Sequence, residues 1–205
     1  MGSNSGLKTI IVLLLALLGG GCASVGADFS YKGPASLRLG QTNAADCSSM
    51  FGTPKSTTAK KTADGDFEEA LYVHAYADMG TARARSLSLE FRNGLLNAYN
   101  FVSSFDEDKT NVNADGFKDI KRGQSTKADV LRLLGEPQGK ALAPSENADF
   151  KEKLKKGAEA WGWTAIGKLS TFGHVYGGAQ ATTLSMYVVF DANGVVTDVE
   201  EANKQ

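Results

Sequence analysis

The hydrophobic pattern along the chain changes period more than once, and each change predicts an element. Residues 10–18, from Ile10 through Leu18, form an unbroken apolar run, too short for the roughly 20 residues that span a bilayer. Two later segments carry a helical period. Cys47, Met50 and Phe51, and again Val130, Leu133 and Leu134, recur at i, i+3 and i+4, so each set makes one apolar stripe on a short helix. Asn43 and Thr126 are suited to cap the starts, and Asp46 and Asp129 stand three residues on, where a carboxylate can return a bond to the cap amide. Gly52 and Gly135 permit a left-handed ending, and Pro54 and Pro137 prevent resumption.

Downstream of each helix the period becomes two. Leu71, Val73, Ala75 and Ala77 alternate with Tyr72, His74 and Tyr76, and Leu87, Leu89 and Phe91 alternate with Ser88 and Glu90, as half-buried strands do. Asn93-Gly94 is a hairpin signal returning into a strand over 95–102. The second set has Trp161 and Trp163 on one strand face, then Leu184, Met186, Val188 and Phe190, a turn at 191–194 and a last strand from 195 to about 200.

These two sets are a repeat. Gly40-Gln41-Thr42 aligns with Gly123-Gln124-Ser125, Ala45-Asp46 with Ala128-Asp129, and Gly52 and Pro54 with Gly135 and Pro137, all 83 residues apart without a gap. The repeat places Cys47 where Val130 stands, which favours a small buried hydrophobe over a redox group. By Phe91 and Phe190 the offset has grown to 99, so about 16 residues are inserted in the second copy. They fall in the Lys-rich stretch 149–157, read as a second short helix, and the Gly-rich segment 173–181, read as a loop.

The expected fold is α+β: two tandem units, each a short helix or helix pair followed by a three-stranded antiparallel meander, with the helices on one face of the sheet. The expected boundaries are 1–21 signal peptide, 22–34 tether, 35–105 first repeat, 106–118 linker and 119–205 second repeat.

The N-terminal run follows Lys8 and precedes Gly19, Gly20 and Gly21, the order of a secretory signal. Cys22 then stands where bacterial lipoprotein signals carry their lipidated cysteine, so the start resembles a lipobox, with Gly19 where Leu is usual. That resemblance implies acylation of Cys22 after removal of residues 1–21. The competing readings are an ordinary secreted protein cut nearby and an uncleaved anchor. Ala23 after the cysteine, where Asp would retain a lipoprotein at the inner membrane, favours the outer membrane facing the periplasm. At ~3.3 Å per residue, a free 23–33 segment could hold the body roughly 35 Å from the bilayer.

The second copy, with Gly123-Gln124-Ser125-Thr126-Lys127-Ala128-Asp129-Val130, Leu133 to Pro137, Glu159-Ala160-Trp161 and Phe190 to Gly194, resembles the SmpA/OmlA/BamE domain of bacterial outer-membrane lipoproteins. The first copy departs from it at Cys47 and Ser48, and has Leu71 or Tyr72 where a Trp is expected. The family's fold is similar to one repeat of the β-lactamase inhibitor proteins, and two copies in tandem resemble that inhibitor architecture.

Chemistry is sparse. Lys and Arg number 22 against 23 Asp and Glu, a formal charge of −1, which does not suggest a nucleic-acid binder. His74 and His174 show no metal-ligand spacing, no Gly-x-Ser-x-Gly nucleophile motif occurs, and no glycine-rich phosphate loop precedes a helix. Neither a metal nor a cofactor is expected. The candidate partner-binding residues are Tyr72, His74 and Tyr76, which share one strand side; aromatics at a surface anchor protein recognition, and the same side could equally pack against the other repeat or a loop. The lysines at 151, 153, 155 and 156 are interleaved with acids and read as a solvated face. The resulting expectation is a non-enzymatic, lipid-anchored envelope protein that acts as a protein-protein interaction module, with outer-membrane assembly or integrity as its expected setting. An enzyme inhibitor is the alternative, and an envelope enzyme or ligand carrier the second alternative.

Overall fold

The computed structural model describes residues 23–29, 36–78, 81–108, 112–166 and 183–204. Cys22, His174 and the Gly-rich segment lie outside the described residues. In chain order the elements are β1 (Ala23–Val25), α1 (Ala44–Phe51), β2 (Ser56–Thr62), β3 (Gly65–Asp78), β4 (Thr81–Arg92), β5 (Leu95–Ser103), α2 (Lys127–Leu134), β6 (Gly139–Leu142), β7 (Glu159–Ile166), β8 (Thr183–Phe190) and β9 (Val196–Lys204). Short 3-10 turns occur at Asp106–Asp108, Ala114–Asp119 and Lys153–Lys156.

The two helices form as their caps dictate. Asp46 N donates to Asn43 Oδ1 at 3.0 Å and Asn43 N to Asp46 Oδ2 at 3.1 Å; Asp129 N donates to Thr126 Oγ1 at 3.3 Å and Thr126 N to Asp129 Oδ2 at 3.0 Å. The repeat extends into the backbone. Gly40 N donates to Leu96 O, and Gly123 N to Val196 O, both at 2.7 Å. Both β4–β5 and β8–β9 also slip register next to their turns, between Glu90 and Phe91 and between Val189 and Phe190.

The expected α+β architecture of two separate units is nevertheless corrected. One nine-stranded, wholly antiparallel sheet runs through both copies in the order β1-β3-β4-β5-β6-β7-β8-β9, with β2 also paired to β3, and the protein is mainly β. The cause is β6, whose four residues pair with β5 on one side and β7 on the other. It leaves no edge at which the sheet could divide.

Both helices lie on the same side of this sheet. Cys47 and Phe51 of α1 pack on Tyr72, Leu87, Leu89, Phe91, Leu96, Tyr99 and Phe101, all buried. Val130 and Leu134 of α2 pack on Trp161, Trp163, Met186, Val188, Phe190 and Val196. Met50, expected in the stripe, is 39% exposed. Trp163 Nε1 donates to Gly135 O at 3.2 Å, so this buried indole keeps its donor satisfied and ties α2's end to the sheet.

Residues 23–29 are not a free tether. β1 pairs with the end of β3, and Phe29 is buried edge-on between Phe51 and Tyr72, its ring centre 6.2 and 6.1 Å from theirs.

Candidate functional site

The helix-free side of the sheet differs along its length, and the register shows why. Ala98 pairs with Ala141, Ala141 with Ala160 and Ala160 with Val189, giving a row of small buried side chains across β5 to β8. The next row contains Gly139 and Gly162. Residues 143–157, between β6 and β7, fold over these rows, with Phe150 and Leu154 buried on them. A Cβ at Gly139 would lie 2.9 Å from the Phe150 ring, so the glycine makes room for it.

A buried carboxylate pins this cover. Glu90 accepts hydrogen bonds from Asn97 Nδ2 at 2.9 Å, Ser145 Oγ at 2.8 Å and Glu146 N at 2.8 Å. A buried donor left without its acceptor costs roughly 1–3 kcal/mol. Lys153 and Lys156 bond Glu200, and Lys156 with Arg122 flanks Asp198, which joins the cover to β9. Part of the Lys-rich face is therefore ion-paired to the sheet. Those lysines hold Glu200 below the usual carboxylate range by hydrogen bonding.

Toward β2 the same side is open. Leu71 pairs with Ser88 and Ser88 with Asn100; Val73 pairs with Ser86 and Ser86 with Val102. All six are half-buried, and among the described residues no apolar cover like Phe150 and Leu154 packs on them. Glu69, which accepts from Ser88 Oγ at 3.1 Å, and the Lys60–Glu146 ion pair border this patch. Asn147 Nδ2 reaches Ser88 Oγ at 3.3 Å, and Asn100 Nδ2 donates to Asp149 at 2.7 Å, so the edge of the cover is its wall. The arrangement offers branched apolar groups beside hydroxyls and amides on a flat strand surface, which suits contact with another polypeptide.

The expected aromatic trio lies on the strand side opposite Leu71 and Val73, and that side is the packed one for two of its members. Tyr72 is 3% and His74 8% exposed, and both face the helix side; Tyr76 is half-buried. Tyr72 and His74 are thus withdrawn from any exposed recognition surface, because Leu87 and Arg85 opposite them also face inward. His74 stacks on Phe105 at 5.7 Å, with Nδ1 3.4 Å from Gly26 O and Nε2 3.7 Å from Asp28. Burial raises the Tyr72 hydroxyl above its ordinary range.

Two buried charges had no sequence signal. Glu90 sits on an alternating strand's supposed solvent side, and Arg85 on its core side. Arg85 Nη1 donates to Phe29 O at 2.7 Å, Nη2 to Glu107 at 2.8 Å, and Nε lies 3.2 Å from Asp108 without hydrogen-bond alignment. Among the described residues, no group of three or more His, Cys, Asp or Glu side chains is placed to hold a metal ion. No described helix is long and apolar enough to cross a membrane.

No family model and no curated protein matches the chain, so the SmpA/OmlA/BamE resemblance stands without a family match. Among solved structures, the chain is similar to a "putative beta-lactamase inhibitor protein" from Streptococcus mutans, at 10% identity and a TM-score of 0.46, over 82% of this chain and 91% of that one.

Proposed function

We propose that this chain is a lipid-anchored, non-enzymatic protein of the bacterial envelope that binds another protein through the open part of its helix-free sheet side. The observation that carries the binding is the half-buried patch of Leu71, Val73, Ser86, Ser88, Asn100 and Val102, beside a region where the same sheet side has accepted a chain segment. Support for the anchor is the order Lys8, apolar run, glycines and Cys22. The partner-binding residues are accordingly moved from Tyr72 and His74 to their strand neighbours Leu71 and Val73.

The test is photo-crosslinking from Ser86 in cells making the full chain, with exposed Lys121, outside the patch, as control. A crosslink to one envelope protein from position 86, absent from 121 and abolished by Val73→Arg, is the expected result. No crosslink from 86, or equal products from both positions, overturns the reading. If the captured protein is an enzyme whose activity falls as the soluble domain saturates it, inhibition is the form the binding takes.

A further inference from the structure

We propose that the anchored protein meets the lipid surface with one defined end of its sheet, the end carrying the β3–β4 connection, and does not swing on a tether. This deepens the anchor reading above and rests on it. Cys22 is bonded directly to Ala23, and Ala23 is already in the sheet: Ala23 pairs with Ala77, Ser24 with Tyr76 and Val25 with Ala75. Consecutive Cα atoms are about 3.8 Å apart, so the acylated residue has no slack beyond the last paired residue.

Residues 23–29 are held by more than backbone pairing. Gly26 passes so close to β3 that a Cβ there would lie 2.0 Å from Val73 O, at a φ of +81° that favours glycine. Phe29 is buried in the first core, Arg85 donates to its carbonyl, and Arg85 Nη1 also reaches Asp28 at 3.3 Å. Arg85 lies 4.1 Å over the Phe105 ring and is joined by Glu107, so the clamp closes from two sides. Acyl chains on Cys22 therefore cannot enter a bilayer without drawing Ala77 and its neighbours to the headgroups.

The side chains exposed there suit that position. Val25, 55% exposed, stands with exposed Ala77, Ala82 and Ala84, while the exposed carboxylates there are ion-paired, Asp106 with Arg83 at 3.7 Å and Asp28 and Glu107 with Arg85 at 3.3 and 2.8 Å. Small apolar groups with a paired charge cost little to bring against an interface. β3 spans 14 residues, so at ~3.3 Å each the β2–β3 turn at Asp64 lies roughly 40 Å from this end. The sheet would stand away from the membrane and present its open side laterally.

The experiment uses the full chain, made and acylated in bacteria and reconstituted into phosphatidylethanolamine–phosphatidylglycerol vesicles bearing a headgroup quencher. A fluorophore is placed at Ala82→Cys or Asp64→Cys; Cys47 is buried and stays unlabelled. Strong quenching at 82 and none at 64 is expected. A Gly/Ser insertion of about 20 residues between Cys22 and Ala23, which behaves as a flexible coil, should abolish quenching at 82 while flotation with vesicles persists. Wild-type flotation with weak, equal quenching at both positions overturns the orientation and leaves the anchor standing. Failure of the wild type to float, or flotation of Cys22→Ala equal to wild type, overturns both.

Discussion

The covered and open regions of the helix-free side belong to the same sheet but are built for different neighbours. Beneath residues 143–157 the strands carry Ala98, Ala141, Ala160, Gly139 and Gly162, and the bulk comes from the cover as Phe150 and Leu154. Toward β2 the strands themselves carry the bulk, as Leu71, Val73 and Val102, and among the described residues no comparable cover packs on them. A strand face meant to receive a fixed internal lid leaves space for it. The open face keeps its own branched side chains instead of leaving that space. In the proposed binding, its own side chains are the ones a partner touches.

Phe150→Ala tests this difference most severely. The ring is fully buried over glycine backbone, and emptying such a site costs about 3–5 kcal/mol. Val73→Ala on the half-buried open face should cost only about 1 kcal/mol. Urea denaturation of both variants checks the contrast, and equal losses would break it. Next in size is Glu90→Ala, which takes the acceptor from Ser145 Oγ and Glu146 N while Asn97 Nδ2 keeps Leu142 O and Pro144 O, and should cost about 2–3 kcal/mol. It should also expose residues 143–147 to limited proteolysis, leaving the strands intact.

The repeat framework was legible because its signals are local. Cap, carboxylate, glycine and proline lie within a dozen residues, and the inward Trp161 and Trp163 follow strand alternation. The fusion of the sheet was not legible, because β6 has four residues and β2 is a polar edge strand with no alternating apolar set. Nor did alternation along β3 reveal which side is inside. Tyr72 faces inward because Leu87, Phe51 and Phe29, all distant in sequence, gather on it. Of the two readings open for Tyr72, His74 and Tyr76, burial is the one seen for Tyr72 and His74. Residues 23–29 read as a tether for a related reason: Phe29's partners and Arg85 are remote along the chain.

The two caps offer a smaller test. Asn43→Ala and Thr126→Ala each remove a reciprocal capping box, and each should cost about 1 kcal/mol. Thermal melts should show nearly equal shifts, since both helices have eight residues and bury two side chains on the same sheet side. A several-fold difference would mean that the repeat is geometric but not energetic.

Cys47→Val gives the smallest effect at neutral pH and the clearest sign change above it. Val130 fills the equivalent position, both sites are fully buried, and the volumes are similar, so the variant should stay within about 1 kcal/mol of wild type. Burial first, then the Asp46 charge, pushes the Cys47 thiol up to about 11. A folded-state value raised above the unfolded one favours the neutral thiol. Its contribution is complete below the unfolded thiol's range and is lost as pH rises toward 11. Wild type should therefore lose stability relative to Cys47→Val between about pH 8.5 and 11, and the native thiol should react slowly with iodoacetamide at pH 8. Rapid labelling of the folded protein, or parallel stability curves across that interval, would show that Cys47 is open to solvent and not the counterpart of Val130.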